Sequence, residues 1–198
     1  VGNAGVDTIT GGAGSDIITG GDGDDIITID SGSDTVTDLG GSSGSDSDVV
    51  VVDSGATLNA TGIKGFTATS ATQNNSSDAN NAVLTAADGS DVTISVASAT
   101  GSSKAFKLVG GTGQDSLTGG AGNDIILGNN ANDTIKGNDG NDVLTGGAGD
   151  DELHGGNGDD IFNISSGSDT IKDLATGDDV VITGGSVVAE DVVAFTAD

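Results

Sequence analysis

The chain has 198 residues and a formal net charge of −26, with 31 acidic residues against five basic ones, all lysine. Such a charge repels nucleic acid and anionic lipid surfaces, and it also opposes a compact state by self-repulsion. Cysteine is absent, and no apolar run approaches the roughly 18 residues of a membrane span, so disulfide chemistry and membrane insertion are excluded. With 36 glycines and four Phe as its only aromatic residues, the chain needs more than an ordinary apolar core to fold.

Nonapeptides occupy two stretches of the chain, Gly2 to Thr37 and Gly110 to Lys172, in four and seven consecutive units. Position six is Asp and position eight is apolar in all eleven units. Position one is Gly in nine units, and position four is Gly in ten, with Ala131 the exception. Six turn-forming residues followed by three strand-forming ones predict stacked turns of two units each, with position eight pointing inward.

Both blocks end in the same motif. Ile29 to Leu39 matches Ile164 to Leu174 position by position, and a Val-rich strand follows each copy. This second-order repeat predicts two units with capping strands, residues 1–53 and 110–183.

The segment 54–109 has no nonapeptide and is rich in Ser, Thr, Ala and Asn, with short β-branched runs. The separation of Gly2 and Gly110 equals six whole turns of two nonapeptides, which favours an irregular solenoid that continues through the segment. A small, separately packed β-insert is the alternative. Thr72 to Asn81 is predicted as a loop, and Ala79 to Ala87 is the one weak helix candidate.

Residues 184–198 are predicted to form a cap or tail. Asp191 to Phe195 is an acid followed by apolar residues, which is similar to type I secretion signals. A five-residue pattern of this kind is common by chance, so a solenoid cap remains the alternative.

The nonapeptide resembles the repeat of the RTX (repeats-in-toxin) family, G-G-x-G-x-D-x-U-x with U apolar. The resemblance implies an all-β fold, a right-handed parallel β-roll or β-solenoid, in two RTX blocks joined by a β-rich segment. It also implies Ca²⁺ binding between the loops of adjacent turns, and folding outside the cell after type I secretion. The carboxylates and the carbonyl oxygens exposed by the glycine-rich loops are ligands that calcium prefers.

By this resemblance, the candidate metal ligands are the loop residues at positions one, four and six and the Asp of each closing motif. At position six they are Asp7, Asp16, Asp25, Asp34, Asp115, Asp124, Asp133, Asp142, Asp151, Asp160 and Asp169. At position one they are Gly2, Gly11, Gly20, Gly110, Gly119, Gly128, Gly137, Gly146 and Gly155, and at position four Gly5, Gly14, Gly23, Gly113, Gly122, Gly140, Gly149 and Gly158. Asp38 and Asp173 are candidates for terminal ions.

Pairing unit n with unit n+2 allows two sites in the first block and five in the second, about seven Ca²⁺ ions in all, with further ions possible at the block ends. The unit at Gly128, with Asn129 and Ala131, is predicted to be the weakest loop, because a β-carbon at position four strains the turn. Five acids at variable positions are interpreted mainly as solvated charge: Asp22, Asp24, Asp139, Asp150 and Asp159.

No catalytic set is recognised, and we do not expect an enzyme. Gly40 to Gly44 matches G-x-S-x-G, but it lies in a Gly/Ser loop with no helix signal, which disfavours Ser42 as a nucleophile. His154 is the only histidine, at an outward-facing position without zinc spacing. Thr recurs at position nine, as in ice-binding arrays, but the longer block interrupts the row with Leu127, Lys136, His154, Asn163 and Lys172.

Two functions remain open. The first is a secreted calcium-binding structural protein of the bacterial cell surface, S-layer or adhesin-like, that self-associates or binds other surface components. The second is the C-terminal folding and secretion module of a larger RTX toxin, protease or lipase.

Overall fold

The computed structural model describes residues 1–39, 47–69, 71–76, 79, 82–101, 104–190 and 192, and this part of the chain contains twenty β-strands and no α-helix. In chain order the strands are β1 (Thr8–Thr10), β2 (Ile17–Ile18), β3 (Ile26–Ile29), β4 (Ser33–Val36), β5 (Val49–Val52), β6 (Thr57–Ile63), β7 (Phe66–Thr67), β8 (Gln73–Asn74), β9 (Ala82–Ala86), β10 (Thr93–Ser95), β11 (Lys107–Val109), β12 (Ser116–Thr118), β13 (Ile125–Asn130), β14 (Thr134–Asp139), β15 (Val143–Ala148), β16 (Glu152–Asn157), β17 (Ile161–Ile164), β18 (Ser168–Ile171), β19 (Asp179–Ile182) and β20 (Ser186–Ala189). None of the described residues lies in a helix long and apolar enough to cross a membrane.

The strands form three parallel sheets. A nine-stranded sheet has the order β19-β17-β15-β13-β11-β9-β6-β4-β2 and passes through both blocks and the segment between them. A seven-stranded sheet has the order β20-β18-β16-β14-β12-β10-β7, and a four-stranded sheet has the order β1-β3-β5-β8. Successive units alternate between the nine-stranded sheet and one of the others, so the predicted all-β parallel solenoid is confirmed.

One apolar core lies between the sheets. The position-eight side chains point into it: those of Ile27, Leu117, Leu144 and Phe162 are fully buried. Ile9, in the first turn, is only partly buried because its strand has a neighbour on one side. Three-residue strands alternate out, in, out, so each unit contributes one large apolar group, and stacking makes the core continuous.

The segment 54–109 supplies strands to all three sheets. In the nine-stranded sheet Thr35 pairs with Asn59, Asn59 with Val83, and Val83 with Lys107, so each of these three turns is longer than a turn of two nonapeptides. One turn of two nonapeptides precedes these three longer turns and one follows them. The separation of Gly2 and Gly110 therefore corresponds to five turns, whereas six were predicted. The nine-residue phase is the same in both blocks because the residues added in the three longer turns together equal one turn of two nonapeptides.

The weak helix candidate at Ala79 to Ala87 is wrong over 82–86, which form β9 between β6 and β11. Burial there alternates along the strand, because Ala82, Leu84 and Ala86 face the core. The G-x-S-x-G match at 40–44, part of the predicted loop at 72–81, and the secretion-signal candidate at 191–195 except residue 192 lie outside the described residues.

Candidate metal centre

The glycine that begins nine of the eleven repeats makes room for an acid. A β-carbon built on Gly137 would lie 2.1 Å from Oδ2 of Asp142 and 2.5 Å from the carbonyl oxygen of Gly155 in the next turn. Gly128 has the same surroundings, with Oδ2 of Asp133 at 2.2 Å and a next-turn carbonyl oxygen at 2.5 Å. Glycine is therefore needed at position one, where a carboxylate and a carbonyl oxygen converge on the space a side chain would fill.

The fourth residue of most repeats lets the turns stack closely. Gly140, Gly149 and Gly158 have φ of +124°, +142° and +138°, and a β-carbon on any of them would come within 2.4 Å of a carbonyl oxygen in the preceding turn. Ala131 adopts the same left-handed region at φ +72° despite its β-carbon. The geometry of this loop agrees with the expectation of strain there.

The position-six aspartates tie each turn to the one before it. Oδ1 of Asp142 accepts a hydrogen bond from the backbone N–H of Asp124 at 2.7 Å, and Oδ1 of Asp160 accepts one from the N–H of Asp142 at 2.8 Å. All seven pairs expected to share ions are joined in this way, at 2.7–3.1 Å: Asp7 with Asp25, Asp16 with Asp34, Asp115 with Asp133, Asp124 with Asp142, Asp133 with Asp151, Asp142 with Asp160, and Asp151 with Asp169. The aspartates thus form two vertical columns, one for each side of the solenoid.

The second oxygen of most of these carboxylates has no partner within the protein. Oδ2 is buried and makes no hydrogen bond in Asp16, Asp25, Asp34, Asp133, Asp142, Asp151, Asp160 and Asp169. In Asp7, Asp115 and Asp124, Oδ2 instead accepts the N–H of the residue four positions earlier. A buried carboxylate oxygen left without a donor is costly, and a cation removes that cost.

Burial also perturbs the acidity of the columns. Loss of solvation raises the pKa of Asp142 to about 8, although the amide of Asp124 opposes the shift, and the carboxylates of the turns above and below raise it further. The pKa of Asp124 and of Asp133 rises to about 7 and that of Asp160 to about 6, again mainly through burial. A cation in the column would allow these groups to stay ionised at neutral pH.

The donors present fit a hard cation. No group of three or more His, Asp or Glu side chains among the described residues could hold an ion by itself. The donors that lie close together are carboxylates and backbone carbonyl oxygens from adjacent turns, and these would give an all-oxygen set of the type that Ca²⁺ takes. Because two turns contribute, binding is coupled to stacking.

Two residues that the sequence analysis did not assign extend the columns. Asp48 is buried and accepts the N–H of Asp25 at 2.9 Å, and Asp178 is buried and accepts the N–H of Asp160 at 3.0 Å. Asp178 follows Asp160 by the length of two nonapeptides, so the nine-residue phase could have identified it. Asp48 follows Asp25 at a longer interval, beyond an insertion that hides the phase.

The closing aspartates have a different position. Asp173 accepts the N–H groups of Gly155 and Gly156 with its two oxygens, at 2.9 and 3.0 Å. Asp38 accepts the N–H of Gly21 at 3.2 Å. Both therefore cap a loop two units earlier, and their role as terminal ion ligands stays a prediction.

Position five carries a second hydrogen-bonding column, in the opposite direction. Oδ1 of Asn132 accepts the N–H of Asp150 at 2.9 Å, and Oδ1 of Asp150 accepts the N–H of Ser168 at 2.8 Å. Asp24 likewise accepts the N–H of Ser47. Asp24 and Asp150, interpreted from the sequence as solvated charge, also fasten the following turn.

The comparison with known families agrees with this geometry. The sequence model of the RTX calcium-binding nonapeptide repeat matches residues 1–36, 107–135 and 136–171, about half of the chain. The chain belongs to this RTX family. The search of curated proteins finds no match to the chain. The RTX repeats of this family bind calcium, and that the aspartate columns hold the ions stays a prediction.

Proposed function

We propose that this RTX chain is the calcium-dependent structural part of a secreted bacterial cell-surface protein, S-layer or adhesin-like, which folds on binding Ca²⁺ after type I secretion. The observation that carries the proposal is the buried, unpartnered Oδ2 of the position-six aspartates, because these oxygens oppose folding until a cation arrives. Cytoplasm is poor in free calcium and the extracellular medium is rich in it, so folding follows export.

The net charge of the chain also supports folding that depends on calcium. The net charge of −26 disfavours the compact state, and about seven divalent ions would reduce it to about −12. An extracellular chain without disulfides needs another stabilising cross-link, and a metal ion bound between turns supplies one.

A structural role is supported by the form of the molecule, an extended stack with long, regular outer faces. The alternative is that the chain is the C-terminal folding and secretion module of a larger RTX toxin, protease or lipase. Both proposals predict folding with calcium, and they differ in assembly: a surface-layer protein associates further once folded, whereas a secretion module stays monomeric.

The test is a calcium titration of the metal-free chain, followed by circular dichroism and light scattering on the same samples, with magnesium as the control ion. We expect a change from coil to β-structure at millimolar calcium, reversed by chelator and not reproduced by magnesium, because Mg²⁺ demands a tighter octahedral shell. Electron microscopy then looks for ordered sheets or filaments. A far-ultraviolet spectrum that calcium does not change would contradict the proposal, and folded but persistently monomeric protein would favour the secretion module.

A further inference from the structure

The outer surface of the nine-stranded sheet differs from the rest of this acidic molecule. Two outward rows run along it, built from positions seven and nine of the repeats and their equivalents in the middle segment. The first row is Ile17, Thr35, Asn59, Val83, Lys107, Ile125, Val143, Ile161 and Asp179. The second row contains Thr85, Val109, Leu127, Thr145, Asn163 and Val181. Lys107 and Asp179 are the only charged residues in these rows.

The outer surface of the seven-stranded sheet provides the contrast. It carries Lys136, Glu152, His154 and Lys172, and the last three of these are paired. Glu152 lies 2.9 Å from His154 and 3.7 Å from Lys172, which also lies 2.7 Å from Glu190, whereas Lys136 has no ion pair within the described residues. Lys107 and Asp179 have no such arrangement. Within the described residues neither has an ion pair or a side-chain hydrogen bond.

The order of the residues between these two charges is self-complementary. Lys107, on β11, and Asp179, on β19, stand four strands apart, about 19 Å at the usual strand spacing. Ile125, Val143 and Ile161 lie between them, on β13, β15 and β17. Ile161 and Val181 remain 36% and 44% exposed, so apolar surface at this end of the face is open to solvent.

We propose that this patch, β11 to β19 of the nine-stranded sheet, is a lateral contact between two copies of the folded chain. A twofold axis parallel to the strands and passing over β15 would place Lys107 of each copy against Asp179 of the other. The same rotation places Ile125 against Ile161 and Val143 against itself. The two solenoids lie antiparallel, face to face, as packed sheets do.

The charges on the patch favour a second copy of the same chain as its binding partner. Two molecules of the same strong negative charge repel each other over most of their surface, and here each offers one acid and one base in an order that matches its own copy. The patch is about 20 Å by 10 Å, well below the area of a stable dimer, so the contact is weak alone and gains strength when repeated in an assembly. The inference rests on the proposed function, since the face forms only when calcium folds the repeats.

The experiment is sedimentation equilibrium of the calcium-loaded full chain at about 0.1–1 mM, a range suited to weak contacts. We compare the natural chain with Lys107→Glu, with Asp179→Lys and with the double variant. Each single change replaces two attractions by two repulsions and should weaken association about tenfold. The double variant keeps the net charge and should restore association. Lys136→Glu, on the other face, is the charge-matched control and should have little effect.

A calcium-folded chain that stays monomeric at all these concentrations would overturn the contact. So would association that both single variants leave unchanged or that the double variant fails to restore. Val143→Lys, at the axis, should abolish association without touching either charge. Circular dichroism of the same samples separates the two proposals, because a chain that stays unfolded in calcium contradicts the proposed function, whereas a folded chain whose association the variants leave unchanged contradicts only the contact. A folded chain that stays monomeric contradicts the contact and also favours the secretion module.

Discussion

At the scale of single residues, neighbouring aspartates in a loop have different roles. Asp151, at position six, is buried and accepts an amide N–H from the preceding turn, while Asp150, at position five, is exposed and accepts an amide N–H from the following turn. Of these two residues, only Asp151 has an oxygen, Oδ2, that is both buried and without a donor. We therefore expect the calcium dependence to come from position six, although both positions hold the stack together.

Asp142→Asn tests this division. Asparagine keeps an oxygen for the amide of Asp124 but removes the charge at the unpartnered Oδ2. We expect the calcium midpoint for folding to rise on the order of tenfold, because one charged ligand is lost from the adjoining sites. The matched control, Asp150→Asn, has the same charge change at an exposed residue and should leave the midpoint nearly unchanged. Equal shifts in the two variants, measured by circular dichroism, would assign the effect to net charge alone.

The buried carboxylates also predict how pH acts on the calcium-free chain. The folded-state pKa of Asp142 is about 8, and those of Asp124 and Asp133 are about 7, whereas an Asp in an unfolded chain titrates near 4. The folded state therefore binds protons more tightly, and its stability falls as pH rises from about 4 to about 8. Without calcium we expect more β-structure at pH 5 than at pH 8.

Protons and calcium compete for the same oxygens in this scheme. Calcium binding near pH 7 should release protons, which calorimetry in two buffers of different ionisation heat measures directly. A calcium-free spectrum that does not depend on pH, together with binding that releases no protons, would show that these carboxylates are already ionised in the folded chain.

At the scale of the elements, the loop beginning at Gly128 is the irregular turn of the longer block. Ala131 has φ +72°, where the other units have Gly. Ala131→Gly should stabilise the calcium-bound fold by about 1 kcal/mol, because it removes the left-handed strain but adds some freedom to the unfolded chain. Ala121→Gly is the control, since Ala121 has no positive φ and should lose stability. Thermal unfolding in excess calcium measures both changes. A loss of stability in Ala131→Gly would mean that the turn is not strained.

Elements of nine residues were predictable because their cause is local. Asp at position six and an apolar residue at position eight specify the acid and the core group in every unit, and Gly at positions one and four specifies the loop in all but a few. The turns of the middle segment were not predictable, because they are longer, have no motif and are held by pairing with strands such as β4 and β11. The amide partners of the closing aspartates Asp38 and Asp173 were not predicted either, since which amide a carboxylate accepts depends on the neighbouring turn.

The position-nine row shows the same limit. In the sequence Lys136, His154 and Lys172 interrupt one row of threonines. In the fold, alternate units face opposite sides, so these three residues lie on the seven-stranded sheet and Leu127 and Asn163 lie on the nine-stranded one. One irregular row becomes two faces of different character, one charged and one nearly neutral.

At the scale of the whole molecule, the nine-stranded sheet connects the two calcium-binding blocks. β9 lies at the junction, and its Leu84 is fully buried. Leu84→Asp places an unpaired charge in the core and should destabilise both blocks, raising the calcium midpoint of each by a similar factor. Thr85→Asp, on the outward side of the same strand, is the control. Hydrogen exchange resolves the two blocks, and unchanged protection of 110–183 in Leu84→Asp would show that the blocks fold independently.

The two sides of the solenoid also differ in continuity. One side is a single sheet of nine parallel strands. The other side is divided in the middle into two sheets, one ending at β8 and the other beginning at β7. If the chain is part of a cell-surface protein, as proposed, it would bear force along this axis. Under tension the nine-stranded sheet would transmit force past the break between the other two sheets. The long middle turns should therefore unfold first, and the two calcium-bound blocks should unfold last.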